Sequence, residues 1–125
     1  MGARMKTICV VDDEEITLKM AEFVLQQDGY DVVKCLSGMA CLEHLKYDIP
    51  DLILLDVEMP IMSGIQTLEI LRSNEEFKKI PVMFLTGSSD TETVAAACSL
   101  GASDYVVKPF MPQELLDRVK KILRF

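Results

Sequence analysis

The feature that most constrains this chain is an alternation. Five short runs of β-branched and large apolar residues, Thr7–Val11, Tyr30–Val33, Leu52–Leu55, Val82–Leu85 and Tyr105–Val107, are separated by longer segments with apolar residues at helical spacing. Three of the runs carry no polar alternation, as strands covered on both faces of a parallel sheet require. Five strand–helix units in succession predict an α/β fold, a (βα)5 doubly wound five-stranded parallel sheet with right-handed crossovers. In the first helix Ile16, Met20, Phe23 and Val24 are expected to form the buried stripe, and Asp28-Gly29 ends it. Ser37 is placed to cap a second helix carrying Cys41, Leu42 and Leu45, and Ser63 a third carrying Ile65, Leu68 and Leu71. Asp90 opens an alanine-rich fourth helix that stops near Gly101. Pro112 opens a fifth, with Leu115, Leu116, Val119, Ile122 and Leu123 on one stripe.

At 125 residues the chain is long enough for one core and too short for two, so residues 6–125 are expected to form one domain behind a flexible leader, Met1 to Met5. Thirteen basic against twenty acidic residues leave a net charge of −7, which disfavours direct contact with nucleic acid or an anionic membrane surface. The apolar runs are far too short to span a bilayer, and Met1 to Lys6 holds no apolar signal core. Gly2 does not make a myristoylation site, because Lys6 stands where Ser or Thr is needed. Cys9, Cys35, Cys41 and Cys98 show no C-x-x-C spacing and read as reduced, mostly buried small hydrophobes of a cytoplasmic protein. A disulfide between Cys9 and Cys35 on adjacent strands is the alternative.

In an open parallel sheet, ligands bind beyond the carboxyl ends of the strands. The residues standing there are Asp12 and Asp13 after the first run, Asp56 after the third, Thr86 after the fourth and Lys108 after the fifth. Singly, each is an ordinary polar residue at a strand end or a helix start. Together they are three carboxylates brought to one crevice, whose mutual repulsion calls for a cation. Mg2+ fits such a set, because it takes one or two carboxylates, keeps waters and accepts a phosphate oxygen; Mn2+ is the nearest substitute. A carboxylate nucleophile, a metal, an ammonium and a hydroxyl are the parts that phosphoryl transfer uses.

These residues carry a resemblance. Val10-Val11-Asp12-Asp13-Glu14, then Leu54-Leu55-Asp56-Val57-Glu58-Met59-Pro60 with Ser63-Gly64, then Phe84-Leu85-Thr86-Gly87, and Gly101-Ala102 leading to Tyr105-Val106-Val107-Lys108-Pro109-Phe110 stand in an order and spacing that resembles the receiver domains of two-component response regulators. The resemblance implies a flavodoxin-like sheet of strand order 2-1-3-4-5. It implies that Asp56 is the phosphoacceptor and that the metal is held by Asp13, by Asp56, by the backbone carbonyl of Glu58 and, through water, by Asp12. It implies further that Lys108 pairs with Asp56 at rest and with a phosphoryl oxygen afterwards, and that Thr86 and Tyr105 switch on phosphorylation. Glu58 and Ser88 would tune the lifetime of the phosphoryl group, Gly87 would keep the backbone small beside it, and the Lys108-Pro109 peptide would be cis.

The partners so implied are a histidine kinase or histidine phosphotransfer protein as donor, and a downstream protein or fused output domain. The latter would be engaged by the face built from the fourth helix, fifth strand and fifth helix, in a monomer or an activation-dependent dimer. On this reading the chain is no enzyme beyond its own phosphorylation and dephosphorylation. Three rivals lose ground on particular residues. A phosphohydrolase of the haloacid-dehalogenase type places D-x-D after the first strand, where Asp12 and Asp13 are adjacent. A flavodoxin-like electron carrier needs a hydroxyl- and glycine-rich phosphate loop where this chain has Asp12-Asp13-Glu14-Glu15. A receiver that never takes phosphate is disfavoured by the intact set of Asp13, Asp56, Thr86 and Lys108. His44, the only histidine, lies in a helical stretch without the partners a triad would need.

Overall fold

The computed structural model describes residues 5–87 and 91–124. Five strands, β1 (Thr7–Val11), β2 (Asp31–Cys35), β3 (Leu52–Asp56), β4 (Val82–Thr86) and β5 (Asp104–Val107), alternate with five helices. These are α1 (Glu15–Gln27), α2 (Gly38–His44), α3 (Gly64–Ser73), α4 (Thr91–Ser99) and α5 (Pro112–Leu123). The strands form one parallel sheet in the order β2-β1-β3-β4-β5, as the pattern and the resemblance imply. The order reverses at β1, which lies between β2 and β3, so the crevice between the first and third crossover loops opens above β1 and β3. Among the described residues, no helix is long and apolar enough to cross a membrane.

The period-two alternation of the strands divides the core into two layers. Ile8, Val10, Leu52, Leu54, Met83 and Leu85 point to the side covered by α1 and α5, where Leu18, Leu25, Leu115 and Val119 pack on them. Cys9, Val11, Ile53, Leu55, Val82 and Phe84 point to the side covered by Leu68 and Leu71 of α3, Cys41 of α2 and Ala97 of α4. The helix starts follow the sequence signals. The Ser37 hydroxyl accepts the Ala40 N–H, and Ser63 with Gln66 forms a reciprocal capping box at α3. Pro112 occupies the first turn of α5. Gly29 (φ 89°) and Gly101 (φ 85°) take the left-handed conformation that ends α1 and α4. Asp90, the expected start of α4, lies outside the described residues, as do residues 1–4 of the expected leader.

Two expectations are corrected. The buried face of α1 is Leu18, Ala21, Val24 and Leu25. Ile16, Met20 and Phe23 instead face solvent, 74%, 48% and 64% exposed. Both sets have helical spacing, and the choice was made by which face the β1 and β3 side chains could close over. Cys9 and Cys35 are free thiols, Sγ to Sγ 3.7 Å, so the disulfide alternative falls; Cys41 is also buried, while Cys98 is exposed. The reassigned face of α1 sets a test by urea denaturation. Leu25→Ala should cost about 2–5 kcal/mol, and Phe23→Ala less than about 0.5 kcal/mol. Equal losses would return Phe23 to the core.

Candidate functional site

The carboxyl ends of the strands are held in place by backbone hydrogen bonds that continue past the sheet. The Asp12 N–H donates to the Cys35 carbonyl (3.1 Å), the Val57 N–H to Leu85 (3.0 Å) and the Lys108 N–H to Thr86 (2.7 Å). The side chains of Asp12, Asp56, Thr86 and Lys108 are therefore anchored to a common frame. Gly64 completes it from the α3 side: its N–H donates to the Val57 carbonyl (2.8 Å), and a Cβ there would collide with the Asp56 carbonyl.

Within that frame Asp12 and Asp56 are buried, at 0% and 3% exposure, while Asp13 is exposed beside them. Oxygens of Asp12, Asp13 and Asp56 all lie within 4.8 Å of one another, a spacing that one hard cation can bridge. The Lys108 ammonium reaches Asp12 Oδ2 at 2.9 Å, Asp56 Oδ1 at 3.4 Å and Glu14 Oε1 at 3.5 Å. Its shortest contact is thus with Asp12, where the resemblance implied a resting pair with Asp56. The other Asp12 oxygen accepts the Glu14 N–H (2.9 Å), which orients that carboxylate at the start of α1. Asp56 Oδ1 also accepts the Glu58 N–H (3.3 Å). The Lys108-Pro109 peptide is cis.

Electrostatics follow from this packing. Burial, then the Asp12 charge, push the Asp56 carboxyl up to about 7, against the lowering effect of Lys108. Burial works against the Lys108 ammonium, but its hydrogen bond to Asp12 and the Asp56 charge outweigh that and hold its pKa above the ordinary lysine value. The carboxylate therefore sits where ionisation is costly until positive charge arrives.

Thr86 is buried at the end of β4, with its backbone on the Lys108 side of the crevice. Tyr105 pairs in register with Phe84 and is half-buried, its ring 5.9 Å from the Arg118 guanidinium. Arg118 is fixed in turn by Asp104 at 2.7 Å. Gly87 lines the crevice, and Ser88 lies outside the described residues. The cleft, about 580 Å3, is lined by the polar Asp13, Glu14, Asp56, Glu58 and Lys108 and by the apolar Ile16, Met20, Pro109 and Phe110.

Sequence reading did not foresee the apolar wall or the reach of Glu14 to Lys108. The first follows from taking Leu18, Ala21 and Leu25 as the inward face of α1, which leaves Ile16 and Met20 beside the crevice. The second had no sequence signal, because it depends on how far β5 and α1 approach across β3 and β4. Ile61, fully exposed with φ 70°, is the centre of a three-residue turn closed by the Met62 N–H on the Pro60 carbonyl (2.8 Å). A β-branched residue there is strained.

A doubly wound flavodoxin-like sheet with three acids and a lysine at its switch point defines a class of phosphorylation-activated signalling modules that bind Mg2+ at an acidic pocket. The chain belongs to the response regulator receiver domain family, whose model matches residues 8–120. It is 39% identical over 119 residues to the alkaline phosphatase synthesis transcriptional regulatory protein PhoP of Bacillus subtilis, covering 95% of this chain and 49% of that protein. It thus spans about half the length of the curated relatives it matches. Among solved structures it resembles a putative response regulator from Chloroflexus aurantiacus (TM-score 0.92, 35% identity, 98% of this chain and all of that one). It also resembles the chemotaxis protein CheY4 of Vibrio cholerae (TM-score 0.90, 29% identity, 95% of this chain and 99% of that one).

The raised Asp56 value gives a pH test in metal-free protein. Between 3.8 and about 7 the folded state holds a proton that the unfolded chain has released, so stability falls as pH rises through that window. Asp56→Asn removes this cost. The variant should be more stable than the parent by up to about 4 kcal/mol above pH 7, with the difference closing towards pH 4. A difference independent of pH would mean that Asp56 is not held against ionisation.

Proposed function

We propose that this receiver domain accepts a phosphoryl group on Asp56 from a phosphohistidine of a histidine kinase or histidine phosphotransfer protein, in a Mg2+-dependent reaction. The observation that carries the reading is the Asp56 carboxylate, buried at the end of β3 within reach of Lys108 and of the Asp12 and Asp13 oxygens. Asp13, Asp56 and the Glu58 carbonyl would hold the ion, with Asp12 holding it through water. When bound, it supplies the positive charge that lets Asp56 ionise and that neutralises the phosphoryl oxygens. Manganese offers the same charge and oxygen preference.

The chain's own residues supply the rest. Gly64 and the Val57 backbone fix the direction of Asp56. The P–N bond of the donor breaks as an Asp56 oxygen bonds to phosphorus, and the imidazole leaves with a proton. Lys108, within 3.5 Å of three carboxylates, needs only to pivot to place its ammonium on a phosphoryl oxygen. Thr86 would turn its hydroxyl onto the group, and Tyr105 would leave Arg118 and turn inward. The face formed by α4, β5 and α5 then changes towards a downstream protein or an attached output domain. Glu58 and Ser88 would tune the lifetime of the phosphoryl group. The exposed Ile16, Met20 and Phe23 of α1, the first two lining the crevice, would seat the donor protein.

Intact mass after incubation with phosphoramidate and Mg2+ tests this. The expected result is one added phosphoryl group, absent in Asp56→Asn and on chelation, and formed at least about tenfold more slowly in Lys108→Ala. An adduct that persists in Asp56→Asn would move the acceptor elsewhere.

A further inference from the structure

The core layer under α2 and α3 holds a group of side chains that the crevice does not use. Three of the four cysteines, Cys9 on β1, Cys35 at the end of β2 and Cys41 on α2, are buried there together. The Cys9 and Cys35 sulfurs are 3.7 Å apart, in van der Waals contact with no bond between them. Cys41 meets Cys9 from the helix side in a second thiol–thiol contact, so Cys9 is the thiol that both others touch. Val11, Ile53 and Leu45 belong to the same apolar layer. Among the described residues, no carboxylate or imidazole lies within 4.8 Å of both the Cys9 and the Cys35 sulfur. Cys9 and Cys41 are 0% exposed and Cys35 is 5% exposed, on the edge strand and next to a helix of only seven residues.

Such a set chooses its ligand by softness, charge and shape. Thiols select soft centres. Net charge left in a dry apolar layer is costly, which disfavours a monovalent ion on two thiolates. Zinc asks for four donors, and this layer offers sulfur alone. A linear two-coordinate metal sets its sulfurs on opposite sides and would have to drive the Cys9–Cys35 pair apart. A trivalent pyramidal centre keeps its sulfurs in contact with one another and leaves no net charge. We propose that Cys9, Cys35 and Cys41 form a binding site for trivalent arsenic, taken up as neutral arsenous acid. Cys35 and then Cys9 each form an As–S bond, each thiol proton leaving with one arsenic hydroxyl as water. Cys41 turns about its Cα–Cβ bond and displaces the third hydroxyl in the same way. Three As–O bonds and three S–H bonds break, three As–S bonds and three water molecules form, and arsenic stays trivalent. The product joins β1, α2 and the edge strand β2, which pairs with β1 alone, so binding stabilises the fold. The site stands whether or not Asp56 accepts phosphate.

The test incubates the full chain, reduced with a phosphine, with sodium arsenite and reads intact mass and the thermal midpoint. The unaltered chain should gain one arsenic in place of three thiol hydrogens, and its midpoint should rise until one equivalent is bound. This arm needs no variant to fold. Cys98→Ser, which removes the exposed thiol, should bind as before. Cys9→Ala should lose the adduct. Cys41→Ala should keep an adduct heavier by one water, because one arsenic hydroxyl is then left in place. Phenylarsine oxide, which has only two positions to exchange, should bind the parent and Cys41→Ala alike. No adduct on the unaltered chain overturns the proposal. So does an adduct that vanishes with Cys98, or one that leaves the thermal midpoint unmoved, since arsenic would then sit outside the folded core.

Discussion

The repulsion among Asp12, Asp13 and Asp56, and the single ammonium of Lys108 placed against it, is the constraint on which the rest of this structure depends. Two of the three carboxylates are buried, and buried like charges are tolerated only where a cation and hydrogen bonds answer them. The answer here is incomplete. Lys108 serves Asp12 and Asp56 at once, and the Asp56 carboxyl is left about 7. An acid pushed that far up is a group waiting for positive charge, and it makes the site responsive to a divalent ion as a surface carboxylate would not be.

Such a site needs a scaffold that does not relax to relieve it. The four residues nearest the strain are attached to strands whose other side chains are almost wholly apolar. β3 is buried from end to end, as is β4. Moving Asp56 away from Asp12 would drag Ile53 and Leu55 out of one layer and Leu52 and Leu54 out of the other. The continuation of the backbone ladder past the strand ends, at Asp12, Val57 and Lys108, extends that stiffness to the loops. The charged groups are therefore free to adjust only by rotating their own side chains.

This division explains what could be read in the sequence. The β-branched runs, the caps at Ser37 and Ser63, the glycines that end α1 and α4 and the acids at strand ends are local signals, each legible from a few residues. The inward face of α1 was not local. Ile16-Met20-Phe23 and Leu18-Ala21-Leu25 are both helical stripes, and only the position of the sheet beneath decides between them. The site was legible to the same degree: its members could be named, but the sharing of Lys108 among Asp12, Asp56 and Glu14 depends on the tertiary approach of β5 to α1.

If side-chain rotation is the only freedom near the crevice, a signal leaving it must travel through residues that stand at the edge of the rigid frame. Thr86 and Tyr105 meet that description. Thr86 ends β4, buried, with its carbonyl held by the Lys108 N–H. Tyr105 lies on β5, the edge strand on that side, with its N–H turned to Asp104 and its ring against an arginine that Asp104 also holds. A cation–π contact at a half-exposed position is worth about 0.5–1 kcal/mol. On the proposed reading, that is small enough for one charge-assisted hydrogen bond between Thr86 and the phosphoryl group to outweigh it. On the proposed reading, Arg118 would keep the cost of moving the Tyr105 ring small, the condition under which a single covalent event in the crevice could change the population on the α4-β5-α5 face.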